Sequence, residues 1–388
     1  MTDEATRQSY QRLIAVEPAW TRIAPLRELR RLPAKTLLHA GPPFRDVRLV
    51  PAALRHAICA AIILDGWASS YEAAAMQLDG GDVILAAAQD YGVVTPLAFV
   101  AGPSTYCLEV ADLNQPDRTI VSPLNDGPAP GAIRFGVCSE ESLAVVQSLR
   151  DGIGANLAQA LEGPLELLPL MAEALTQGDD LHGHVAAFQE RILPAFRGSL
   201  MANSEAYLGS VGQFALNISM AASALMIGAG ADVADSRMVV ASGGNGVEIG
   251  YKLASDPSRW QVVPATQPIG PRLAGREDRT SLPAIGDSAV IDALGLGAAC
   301  LRCSPTLSDA LSGHIERGEV RGDHLVVRAH EAFIGVHPGL PIDGLRVGLD
   351  LERPRSCLGI MLGMVDSVGE VGLIGRGIAP WPESDGAS

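Results

Sequence analysis

The chain has 388 residues, 47% apolar and 19% charged, with 42 Gly and 26 Pro. This excludes a disordered or fibrous chain and describes a loop-rich globular αβ protein with room for two or three domains. A formal charge of −15, with no Lys/Arg-rich block to offset it, excludes nucleic acid and anionic membrane as expected partners.

The opening "MTDEATRQSYQRL" has no basic region leading into an apolar run, so no signal peptide and a cytoplasmic protein are expected. Residues 4 to 30 read as an amphipathic helix with Leu13, Ile14, Trp20 and Ile23 on its apolar side, ended by Pro33. "TLLHAGPPF" reads as a buried strand entering a Gly-Pro turn that presents His39. Helices are expected over 51–66 and 70–79, the second with Ser69 or Ser70 as N-cap, and short strands over 82–87, 105–111 and 118–123. From Ser139 to Ala231 the pattern turns almost wholly helical. It includes "FALNISMAASALMIGAGA", about the length of a short membrane span; its Asn217, Ser219 and Ser223 favour a buried core helix. Beyond it, glycine-rich strands, turns and a helix alternate to the C-terminus. The chain therefore reads as multidomain α+β, two mixed regions (1–138 and 232–388) flanking a helical middle (139–231).

Cys59, Cys107, Cys138 and Cys357 lie among apolar residues, as small core side chains do. Cys300 and Cys303 in "CLRC" have ligand-like spacing but no second pair, so they too read as core.

Four stretches carry chemistry. "GDDLHGH" (178–184) puts Asp179, Asp180, His182 and His184 into six residues. On a helix Asp180 and His184 share a face, suited to a divalent metal or an oriented base; equally, the acids could cap a helix start. "SGGNGVEIGYK" has glycines that suit an anion-binding turn or an ordinary one. Its Glu248 and Lys252 would pair if helical, or neighbour a site if in a strand. "IGDSAVID" offers Asp287, Ser288 and Asp292 without the spacing of a hydrolase nucleophile. "LNDGPAPGAIRFG" offers Asn125, Asp126 and Arg134, where the arginine either clamps a carboxylate or pairs with Asp126.

Taken together, "LLHAGPPF", "LNDG" with "IRFG", "GDDLH", "FALNISMAA", "GNGVEIG", "IGDSAVID" and "GEVGLIGRGIA" resemble, in order and over nearly the whole chain, the AllG or YlbE-like family of oxamate carbamoyltransferase subunits. The resemblance implies a multidomain α+β fold with a helical middle and chemistry at the C–N bond of a carbamoyl, ureido or cyclic amide substrate, by transfer or hydrolysis. It assigns Asp179, Asp180, His182 and His39 to acid-base or polarising work. Arg134, Asn125, Asn217, Asn245, Glu248, Lys252, Asp287 and Ser288 would bind an anionic or amide substrate. No cofactor is expected; a divalent metal at the carboxylate-imidazole cluster is the alternative. Partners would be a second copy or other subunits of a carbamoyltransferase-like complex.

The chain departs from that pattern at several places. Ala87, Ala88, Gln89 and Tyr91 stand where the family typically has a Pro-Cys-His run and a second His. Gly183, His184 and Val185 replace Asn-Arg-Asn, and Gly244 stands at a usual arginine. Met361, Leu362, Gly363 and Asp366 replace an Asn-Thr-Gly with its following His. The longer members' additional N-terminal domain is not expected. These losses imply a different substrate, or a scaffold or regulatory subunit with weakened catalysis.

Overall fold

The computed structural model describes residues 4–129, 131–196, 200–315 and 359–381, so Cys357 lies outside the described residues. The fold is mixed α+β, in several small sheets around a buried helix.

The strands in chain order are β1 (Pro18–Pro25), β2 (Thr36–His39), β3 (Ile84–Ala87), β4 (Tyr106–Asp112), β5 (Gln115–Pro123) and β6 (Leu165–Glu166). They continue as β7 (Val239–Asn245), β8 (Glu248–Leu253), β9 (Asp256–Pro264), β10 (Ile285–Gly286), β11 (Gly359–Val365) and β12 (Leu373–Pro380). One antiparallel sheet has the order β5-β4-β1-β6 and another β10-β7-β8-β9; β2 and β3 pair in parallel, and β11 and β12 form a hairpin.

The first segment corrects the helix expected over 4–30. The helix stops at Ile14, because Pro18 lacks an N–H and steers Glu17 away from helical torsions. The chain then runs on as β1, whose Trp20 packs edge-on to Phe196 at 5.3 Å. Trp20 and Ile23 reach the core as expected, from a strand interior to its sheet.

The next two helices, Ala52–Leu64 and Tyr71–Gly80, form as expected, and Ser70 caps the second by accepting from Ala73 N at 3.2 Å. Ser139 likewise caps Glu140–Ser148. The apolar stretch after residue 213 becomes the helix Phe214–Gly228, buried almost throughout and packed against β4, β5 and β7. A helix apolar all round needs such a central place. No single helix among the described residues is long and apolar enough to cross a membrane. Cys59, Cys107, Cys300 and Cys303 are buried and Cys138 half-buried, all as free thiols.

Backbone meets backbone where the "AGPPF" turn crosses β7. Gly41 has φ +77, and a Cβ there would lie 2.4 Å from the carbonyl carbon of Gly244. Only glycine fits that torsion and approach together.

Candidate functional site

A cavity that gathers two arginines and a histidine opens between the "IRFG" turn, the "GDDLHGH" loop, the start of the central helix and the β11–β12 hairpin. Arg134, His182, Gln213, Ser288 and Arg376 supply its polar groups; Leu97, Leu216, Met361, Leu362 and Leu373 supply much of its apolar wall. Its free volume is about 40 Å³.

The "GDDLHGH" stretch is a loop between the helices Leu168–Thr176 and Ala186–Ile192, which corrects the expectation of a helix through Asp180 and His184. Its two carboxylates organise the backbone. Asp180 Oδ1 accepts from His182 N at 3.1 Å and His184 N at 2.7 Å, closing a tight turn in which Leu181 takes φ +64. Asp179 accepts from Phe188 N at 2.8 Å, Ala187 N at 3.3 Å and His184 Nδ1 at 2.8 Å, so it caps the next helix. Burial pushes both carboxyls above the ordinary aspartate range. The turn delivers His182 to the cavity, whereas His184, the replacement for a usual arginine, turns to Asp179 and does not line it.

His182 Nδ1 donates to Asp292 Oδ2 at 2.9 Å. The other oxygen of Asp292 accepts from Ala298 N at 2.8 Å and Met361 N at 3.2 Å, which fixes the carboxylate and ties the hairpin to it. With Nδ1 committed, the imidazole keeps Nε2 for whatever enters the cavity.

Two arginines flank the ring, Arg134 buried and Arg376 half-buried. Arg134 Nη1 donates to Asp126 Oδ1 at 2.6 Å, Gly127 O at 2.7 Å and Asn125 Oδ1 at 2.9 Å, while its N–H bonds Asp126 Oδ2 at 2.6 Å. Both readings of Arg134 thus hold in part: it pairs with Asp126, and it lines the cavity with Nε and Nη2 outside those bonds. Arg376 sits opposite Gly363 in the hairpin, where no side chain crowds it, and Nη1 donates to Gly183 O at 2.6 Å. Among the described residues no carboxylate lies within ion-pairing distance of Arg376. Burial pulls its guanidinium below the ordinary arginine value, with Asp180 opposing. Sequence reasoning missed Arg376, Gln213 and the partnership of Asp292 with His182. The one available signal was an arginine isolated between glycines in the apolar run "GLIGRGIA".

Two leucines with left-handed backbone, Leu97 (φ 48) and Leu181, adjoin this site. Bulky residues adopt that conformation at a cost, and such strain concentrates where a side chain must be held in place.

The other expected site residues lie elsewhere. Asn217 Nδ2 donates to Pro123 O at 2.6 Å, behind the cavity on the central helix. Asn245 closes its own turn, accepting from Val247 N at 3.0 Å and Glu248 N at 2.8 Å and donating to Pro42 O at 3.1 Å. Glu248 and Lys252 are on β8 and do not pair with each other: Glu248 is 3.5 Å from Arg45, and Lys252 Nζ donates to Asp90 at 2.6 Å. Among the described residues no group of three or more His, Cys, Asp or Glu is placed to hold a metal ion.

Asp287 and His39 belong to a second, closed cluster where "AGPPF" meets β7. Asp287 accepts from Gly41 N and Thr95 N, each at 2.9 Å, from Thr95 Oγ1 at 3.2 Å and from Gln89 Nε2 at 2.6 Å. Gln89, at a departure from the family pattern, also bonds Ser242 through its N–H and O atoms. Burial pushes the Asp287 carboxyl up to about 7 and the His39 imidazole down to about 4. The two act oppositely on stability. Folding takes up a proton at Asp287 between 3.8 and about 7, so that contribution falls as pH rises through the window. Folding releases a proton at His39 between 6.5 and about 4, so that contribution is present above 6.5 and lost as pH falls. His39→Leu removes the second. Relative to the native chain, the variant should then gain about 1.4 kcal/mol of unfolding free energy for each pH unit of acidification between 6.5 and about 4. Urea titrations at several pH values measure this; a constant difference would rule out a buried neutral His39.

Residues 83–288 match the family model described as oxamate carbamoyltransferase subunit AllG. The chain is 26% identical to a protein named oxamate carbamoyltransferase subunit AllG from Escherichia coli (strain K12), over 90% of this chain and 85% of that one. It is 25% identical to the uncharacterized protein YahG of the same strain, over 97% and 83% of the respective chains. Its fold is similar to the crystal structure of a conserved protein of unknown function from Enterococcus faecalis V583, with TM-score 0.88 and 22% identity, over 98% of this chain and 94% of that chain.

Proposed function

The chain belongs to the AllG family of oxamate carbamoyltransferase subunit-like proteins, and from that premise we propose that its arginine-flanked cavity binds a small carboxylate bearing a carbamoyl, ureido or amide group and acts at its C–N bond. The observation that carries the reading is Arg376. A half-buried guanidinium with one backbone acceptor and, among the described residues, no carboxylate partner is only partly compensated until an anion enters beside it.

In the mechanism this supports, Arg376 holds the substrate carboxylate. Nε and Nη2 of Arg134 face the carbamoyl oxygen and stabilise the negative charge that develops there. His182 Nε2 takes a proton from the attacking water or phosphate oxygen as that oxygen bonds to the carbamoyl carbon. It returns the proton to the nitrogen as the C–N bond breaks. Asp292 keeps the tautomer that makes this exchange workable. Asp179 and Asp180 shape the loop and do not touch the substrate.

A second reading rests on the Asp287 cluster, where Gln89 bonds both Asp287 and the Ser242 backbone while Asn245 closes its own turn, so that these residues present no open anion turn. A scaffold or regulatory subunit of a carbamoyltransferase-like complex would have this character. Calorimetric titration of the full chain with oxamate and with carbamoyl phosphate tests the first reading, and saturable one-to-one binding of either is expected. No binding by the isolated chain, together with a stable heteromeric complex recovered from the native host, would favour the second.

A further inference from the structure

Resting on the reading of this cavity as a carboxylate site, we propose that its ligand carries a short apolar group beside the carbamoyl or amide unit, so that the site selects a substituted ureido or amido acid over a wholly polar one such as oxamate.

The polar groups serve the two ends of a small molecule. In that reading Arg376 and Arg134 take oxygens and His182 acts at the bond between them; all three line the cavity. Gln213 and Ser288 add polar atoms, and most of the remaining wall is hydrocarbon. The hairpin turns Leu362 and Leu373 into the cavity from its two strands, and Leu97 and Leu216 add to the wall. A ligand with polar atoms on every side would leave some of them against leucine methyls with no partner, which is unfavourable. A methyl or ethyl branch would instead cover that wall and leave water.

Leu97 strengthens the case. Its backbone is held at φ 48, a conformation that leucine adopts only at a cost. The neighbouring Gly286 has φ +118 and lacks the Cβ that would come 2.7 Å from Leu97 N. The fold thus accommodates a strained residue at this place with a large apolar side chain at the cavity, where a glycine would relieve the strain.

The test is calorimetric titration of the full chain with oxamate and with the N-carbamoyl derivatives of glycine, alanine and 2-aminobutyrate, a series that adds one carbon at a time to an unchanged polar frame. Each added carbon should tighten binding about fourfold, so the last should bind roughly fifteen-fold more tightly than the first. In Leu362→Thr the gradient, read as the ratio of each affinity to that of the glycine derivative in the same variant, should shrink to under about twofold per carbon. If Leu362→Thr does not fold, Leu373→Thr is measured instead, and the native series already decides the question. A flat or falling series, or tighter binding of oxamate than of the substituted acids, overturns this inference and leaves the carboxylate site standing. Failure of every carboxylate to bind overturns both.

Discussion

Arg376→Gln is expected to weaken carboxylate binding by about a hundredfold while leaving the unliganded chain as stable as before, or more so. The two effects come from one cause. A guanidinium-carboxylate contact is charge-assisted and bidentate, and in a cavity closed on most sides its loss costs about 3 kcal/mol. Without ligand the same charge is a liability, because partial burial has removed some of its water and only Gly183 O and the more distant Asp180 offset it. Glutamine keeps a donor for Gly183 O and removes the charge. Arg376→Lys should fall between, since an ammonium keeps the charge but not the planar fork. Calorimetry and urea unfolding on the same samples measure both quantities. Lower stability with unchanged binding would make Arg376 a structural residue.

Much of the fold was legible because local rules and tertiary packing agreed. Ser70 and Ser139 stood before apolar-periodic runs and became N-caps, and a stretch apolar on every face became the central helix. The failure at residues 4–30 is instructive in the same terms. Apolar positions at helical spacing continued past Ile14, but Pro18 broke the helix, and sheet pairing with Tyr106–Asp112 used the same residues at a period of two.

The site was less legible, and the reason is geometric. Spacing along a chain predicts which residues share a face only when the element is known, and "GDDLHGH" proved to be a loop. Asp179 and Asp180 turn their oxygens to backbone N–H groups, so acids that looked like site groups position His182 and seal a helix end. The partner of His182 is Asp292, 110 residues further on, a pairing that no local pattern encodes. Arg376 escaped notice for a related reason. In sequence it is one cation in a hydrophobic hairpin, and only folding shows that it faces His182 and Arg134 across a cavity. The glycines of "SGGNG" left an ordinary turn and an anion-binding turn both readable in sequence. They permit strand β7 to meet Gly41 and Ala284 at backbone distance, a packing role that anion binding would mimic in sequence.

The dyad supplies the other large expected effect. Asp292→Asn should lower turnover by on the order of a thousandfold, with substrate affinity changed by no more than a few-fold. The asparagine oxygen can still accept from Ala298 N and Met361 N, so the loop and hairpin stay in place. Its amide group then faces His182 Nδ1 and donates where the carboxylate accepted. The imidazole must put its proton on Nε2, the nitrogen that has to receive one from the nucleophile. His182→Gln removes the base altogether and should cost at least as much; the double variant should be no worse than the poorer single, because the two residues act as a unit. Separate measurement of kcat and KM distinguishes this from a purely structural role, which would move KM, stability and kcat together. Full turnover by His182→Gln on a substrate that the native chain converts would remove His182 from the chemistry and leave the arginine pair as a binding site only.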